Sequence, residues 1–251
     1  MNVAGRGIGR ALLGSGLLAV TVLGGAGGYG VGLVTSAASE NAGGAVPLGS
    51  VTPTTDPSST PSLPVEPRRT PKPDHTEPMR ADELSYQTRE FDTELVVRSH
   101  IRLKVPRNWR ITQPDPKATG RFTDPTGKRW LRIESGFSLT RPPAASMAAK
   151  IAQLNELPPS QSLTFLPQKV DPVTRTATLT YTYIPRDPEP PKPVPPDAGT
   201  LKYVIVRWVA LDSSGFVGVE MSSVGLPQDK AALLDVLDHA TESVTRTDSP
   251  L

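Results

Sequence analysis

The residues able to move protons or hold metals are few in this chain, and they are scattered. It has three histidines, His75, His100 and His239, far apart and without metal-ligand spacing, so no metal site is assigned. There is no cysteine, which excludes disulfides, thiolate zinc and lipid attachment through an N-terminal Cys. His239 follows Asp235 by four residues and precedes Glu242 by three, so all three share a helix face. That spacing suits a carboxylate-oriented base, and equally a solvated acidic helix face. Glu134 and Glu220 fall in expected strands, where acids usually serve as exposed partners of Lys or Arg. No Gly-x-Ser-x-Gly elbow occurs in the C-terminal domain, and Gly5, Gly7 and Gly9 lack the preceding strand of a phosphate loop. No catalytic or cofactor-binding residue is assigned, no cofactor is implied, and the chain is not expected to be an enzyme. Trp109, Trp130 and Trp208, with Tyr181, Tyr183 and Tyr203, would line a groove or fill a core.

Charge is more informative than acid–base chemistry. From Arg98 to Arg132 there are ten Lys or Arg against two acids, whereas Ile133 to Leu251 carries ten basic and thirteen acidic residues. The whole-chain net charge of +2 hides this asymmetry. Arg98, Arg102, Lys104, Arg129 and Arg132 are the candidate contacts for an anionic partner, because a clustered positive field attracts anions and speeds encounter. The same residues would also make an ordinary solvated face.

Those residues must be delivered somewhere, and the N-terminus supplies the address. Residues 11–38 contain no charged side chain, and Arg6 and Arg10 precede them within a ten-residue stub, 1–10. About 20 apolar residues span a bilayer as a helix, so the run is long enough for a transmembrane anchor. Ser36-Ala37-Ala38 also resembles a signal-cleavage site, so release by cleavage near Ala38 stays open. No Lys or Arg follows until Arg68, which keeps the N-terminus cytoplasmic and places the rest outside the membrane. Gly24, Gly28 and Gly32 lie on one helical face and are candidates for helix dimerisation; Gly is also simply common in such segments.

Residues 39–82 read as a disordered Pro/Thr/Ser-rich linker, with nine prolines between Ala45 and Asp82. At the polyproline rise its 38 residues from Ala45 reach roughly 100 Å, and O-glycosylation of the stalk is plausible on composition. Residues 83–251 are long enough to bury a core without covalent staples. Within them Leu95–Val105 alternates as a half-buried strand, and Asp124-Pro125-Thr126-Gly127 forms a turn joining Gly120–Thr123 to Arg129–Phe137. Pro142 and Pro143 open a helix with Met147, Ile151 and Leu154 on its apolar stripe. Strands follow at Leu163–Val170, Ala177–Ile184, Leu201–Leu211 and Phe216–Ser222, with a proline tract at Pro185–Pro196. Pro227 opens a last helix that buries Leu233, Val236, Leu237, Ala240 and Val244. This order indicates an α+β domain: an antiparallel sheet with helices packed to one side.

The strand ending Val105-Pro106-x-x-Trp109, the hairpin from Phe122–Asp124 to Arg132, the middle helix, the long antiparallel strands and the closing helix resemble the PsbP-like fold. The variant they are most similar to is that of exported actinobacterial proteins of the LpqN/LpqT type. The resemblance covers roughly residues 95–247. It implies a binding or accessory module and names no ligand. The sequence therefore leads to the expectation of a membrane-tethered, extracytoplasmic, non-catalytic binding or scaffolding domain of a bacterial cell envelope. Its partners would be anionic lipid, wall polymer or an acidic envelope protein; nucleic acid suits the charge but not the compartment. A secreted envelope enzyme or a small-ligand or lipid-binding protein is the alternative.

Overall fold

A computed structural model of the chain describes residues 67–113, 117–136, 141–186 and 199–251. The expected anchor at 11–38, with Gly24, Gly28 and Gly32, lies outside the described residues. Among the described residues no helix is long and apolar enough to cross a membrane.

Among the described residues ten strands form two antiparallel sheets. The smaller has the order β1 (Tyr86–Glu94), β2 (Arg98–Pro106), β10 (Thr245–Ser249). The larger runs β3 (Arg110–Thr112), β4 (Thr119–Thr123), β5 (Trp130–Glu134), β9 (Val219–Gly225), β8 (Lys202–Val209), β7 (Thr176–Tyr183), β6 (Thr164–Asp171). The described residues also form two α-helices, α1 (Pro143–Asn155) and α2 (Lys230–Ser243). The α+β architecture is as expected.

The layering differs from the expectation of helices on one side. Strands expose successive side chains to opposite faces, and both faces of the large sheet are covered. Leu131 and Ile133 of β5 and Met221 of β9 join the core beneath α2 and the small sheet, with Leu233, Val236 and Leu237. Val204, Val206 and Trp208 of β8 and Leu179 of β7 pack instead with Met147 and Leu154 of α1. The helices thus lie on opposite faces, because the long central strands are apolar on both sides. A single layer of helices would have left one of those sides in water.

The small sheet docks through β2, whose Ile101, Leu103 and Val105 are fully buried while Arg98, His100, Arg102 and Lys104 face solvent. Phe91 of β1 reaches across to the large sheet, where its ring meets Phe122 edge-on with centroids 5.7 Å apart. The ring also lies against Gly120, where an added Cβ would come within 2.5 Å of it. Neither β1 nor β10 shows strict apolar alternation; pairing with β2 makes them strands.

The boundary at 82 also moves. Residues 67–82, expected as part of the unfolded linker, form a strap across one end of the large sheet. Arg69 donates from Nε to Ser160 O at 2.9 Å, and the Ser162 hydroxyl donates back to Arg69 O at 2.6 Å. Lys72 makes a parallel bridge with Thr200 and donates its N–H to Gly199 O at 2.9 Å. Met79 packs on the core, and a 3₁₀ turn at Ala81–Glu83 leads into β1. Composition suggested disorder, but hydrogen bonds to strand ends supply the ordering that the strap's own side chains cannot.

Two substitutions test the docking of the small sheet. Phe91→Ala should cost about 3–5 kcal/mol and Gly120→Ala about 1–3 kcal/mol, read by urea denaturation. The buried Ser223 hydroxyl has no hydrogen-bond partner among the described residues. Ser223→Ala should therefore leave stability unchanged or raise it by up to about 1 kcal/mol in the same assay.

Candidate functional site: the charged face of the small sheet

The exposed face of the small sheet is built by register. Glu94 stands opposite Arg98, Asp92 opposite His100, and Glu90 opposite Arg102. On the other flank Ser249, Thr247 and Thr245 stand opposite the same three residues of β2. The face therefore carries three parallel columns: acids on β1, cations and a histidine on β2, hydroxyls on β10.

The charge pairs across the first two columns are made. Arg98 Nη2 lies 3.1 Å from Glu94 Oε1, and Arg102 Nε lies 3.4 Å from Glu90 Oε1. His100 Nδ1 lies 2.8 Å from Asp92 Oδ1. These side chains remain open to water, Arg98 at 51% and Arg102 at 60% exposure. Exposed pairs of this kind contribute only ~0–1 kcal/mol, so each cation can exchange its carboxylate for another at small cost. Lys104 ends the column opposite Thr88, exposed and without an ion pair among the described residues.

The five cations expected to form one basic hairpin are thus divided among three places. Arg98, Arg102 and Lys104 share the exposed face. Arg132 lies on β5, on the α1 side of the large sheet, with Nη2 2.6 Å from Glu134 Oε2. Arg129 is a correction: its side chain is 6% exposed and cannot meet a partner from solution. It instead holds the strap. Its Nε and Nη2 donate to both carboxylate oxygens of Asp229 at 2.7 and 2.9 Å, and Nη1 donates to Asp124 at 3.3 Å. Nη2 also donates to Glu77 O, while Asp229 Oδ1 accepts the Met79 N–H at 2.8 Å. Burial alone would lower the Arg129 guanidinium, but Asp229 and Asp124 outweigh it and hold it above its ordinary value. Beside it, Lys128 Nζ binds Asp74 at 2.7 Å. Burial works against the Asp74 charge, yet Lys128 and Thr76 keep that carboxyl well below the usual range.

The local excess of +8 counted from Arg98 is weakened by the same geometry. Its window begins just after Glu90, Asp92 and Glu94, which the β1–β2 hairpin folds back onto it. Those three acids are the site residues that hydropathy missed. A signal for them exists in the chain, since acids at 90, 92 and 94 mirror Arg98, His100 and Arg102 about a short turn, as antiparallel pairing favours.

The other candidates resolve as structural. Trp109 and Trp208 are core, and Trp130 stacks beneath the Arg121 guanidinium at 4.2 Å. Asp235 accepts the Tyr86 hydroxyl at 2.6 Å, and the Tyr86 and His239 rings lie 3.9 Å apart, so this cluster fastens α2 to the start of β1. Glu134 and Glu220 are direct cross-strand neighbours. Glu220 accepts the Trp208 indole N–H at 2.8 Å and Glu134 pairs with Arg132. Burial, with the nearby Glu220 charge as a smaller contribution, raises the Glu134 carboxyl above its ordinary value. Two open grooves, of about 370 and 460 Å³, border the strap and hold no converging acid–base pair beyond Asp74 with Lys128. Among the described residues no group of three His, Asp or Glu is placed to hold a metal.

Comparison of the chain with protein-family models, with curated proteins and with solved structures returns no match.

Removing one member of the buried pair leaves an uncompensated charge, so Asp229→Ala should destabilise by about 3–5 kcal/mol in urea denaturation. Native Glu134 holds its proton more tightly than the unfolded chain does. Its contribution therefore favours folding at low pH and is lost as pH rises through the native pKa. Glu134→Gln should then be more stable than wild type at pH 7, with the gain vanishing in acid. Urea titrations at both pH values check the sign.

Proposed function

We propose that the chain is a membrane-tethered, extracytoplasmic docking domain of a bacterial envelope, without catalysis of its own. Its contact surface is the outer face of β1, β2 and β10. The observation that carries this reading is the three-column register, in which acids, cations and hydroxyls stand side by side in solvent. The likeness to PsbP-like accessory modules points the same way.

The register also favours one partner class. Neighbouring strands lie about 4.8 Å apart, so any chain of anions laid over Arg98, Arg102 and Lys104 also meets Glu90, Asp92 and Glu94. A lipid surface or a polyanionic wall polymer is repelled by that neighbouring column. An acidic protein surface avoids the repulsion by placing discrete carboxylates over β2 and donors over β1. Such pairing yields specificity and steering more than raw affinity.

A photocrosslinking residue in place of Lys104, in the full chain in intact cells, tests this. A protein adduct of discrete mass is expected, reduced at least about tenfold by Arg98→Glu with Arg102→Glu, the loss set by two reversed charges. Titration of the chain with anionic vesicles and with wall polymer at two salt concentrations is the companion measurement. Salt-sensitive binding to either that Arg102→Glu abolishes would replace the protein partner with a polyanion. Absence of both adduct and binding would sink the docking reading.

A further inference from the structure

We infer that the strap at 67–82 is a strain relief: it takes tension arriving through the tether into the Arg129–Asp229 pair and keeps it off β1. The inference rests on the reading of the N-terminal segment as a tether, and it concerns how the proposed contact face survives being pulled.

β1 is an edge strand of the small sheet and supplies the whole acidic column. It begins at Tyr86, three residues after the 3₁₀ turn that ends the strap. A pull applied at that point would open the β1–β2 ladder one pair at a time from Tyr86 opposite Pro106, and the columns would lose register. The strap instead turns the chain across the end of the large sheet before it can reach β1.

Its clasps grow stronger along the chain. Arg68 makes only exposed bonds, including one from Nη2 to Thr164 Oγ1 at 3.3 Å. Arg69 and Lys72 follow, bonded to Ser160 O, Pro185 O and Gly199 O. Next, Asp74 and Thr76 both bind Lys128 Nζ, at 2.7 and 2.6 Å. Last come Glu77 O and the Met79 N–H, held by Arg129 and by Asp229, whose side chain is wholly buried. Charge-assisted bonds in a dry setting are about twice as strong as neutral ones, and exposed bonds exchange with water. Under tension the outer clasps release first, while the inner pair and β1 stay in place. The clasps also lie at the ends of several strands, from β6 and β7 through β8 to β5, so no single ladder takes the pull.

The test is single-molecule pulling on the full chain in detergent. The sequence has no cysteine, so handle sites are introduced freely. One pair of handles sits at Ser59→Cys and Ser213→Cys, pulling through the strap. The other sits at Ser85→Cys and Ser213→Cys, bypassing it. Pulling from 59 should show a low-force event before the main rupture, and that rupture should need more force than pulling from 85. Arg69→Ala should lower the first event alone. Asp229→Asn should bring the main rupture from 59 down toward the value from 85. Equal rupture forces from 59 and 85 would overturn the inference, as would a main rupture indifferent to Asp229→Asn. If Asp229→Asn does not fold, the comparison of the two handle pairs decides alone. Failure of the docking reading would appear in the crosslinking and leave these forces unchanged.

Discussion

The domain is organised around one buried ion pair. Arg129, immediately before β5, and Asp229, immediately before α2, bond through two guanidinium nitrogens and both carboxylate oxygens. Burying two charges costs several kcal/mol per ion, and the pair offsets this only by using the remaining lone pairs and protons. Asp229 accepts the N–H groups of Leu226 and Met79, and Arg129 also reaches Asp124 and Glu77 O. The pair thereby joins a turn, a helix start and the strap. Strap, large sheet and α2 are fixed relative to one another at this point.

The large sheet can be apolar on both faces because each face is covered by a different helix. That arrangement leaves the small sheet as the part of the fold with a fully solvated face. β2 is the hinge of the design, with Ile101, Leu103 and Val105 pointing into the core and its cations pointing out. The period of two in that single strand both anchors the sheet and creates the basic column. The column is then tempered by whatever strand pairs with it, and β1 brings acids.

Much of this was legible. The turn at Asp124–Gly127, both helices with their buried faces, and most strands of the large sheet follow from apolar period and turn chemistry. In the turn the Asp124 carboxylate accepts the N–H groups of Lys128 and Arg129 at 3.1 and 3.2 Å, and Gly127 takes a φ of +74°. Strands β1 and β10 were not legible from hydropathy, because they have few or no apolar residues and exist through pairing. Residues 67–82 read as linker by composition because their ordering comes from hydrogen bonds to distant strand ends.

The chain by itself determined the α+β class, the alternation that splits β2 into core and solvent faces, and the supply of cations between Arg98 and Arg132. Those are properties of local order and period, which a sequence states directly. Only the tertiary structure decided which cations stay available. It buried Arg129 against Asp229, 100 residues away, sent Arg132 to the opposite side of the large sheet, and laid Glu90, Asp92 and Glu94 beside the rest. The reason is physical: a charge acts through its neighbours and its exposure, and both are set by contacts between residues distant in the chain.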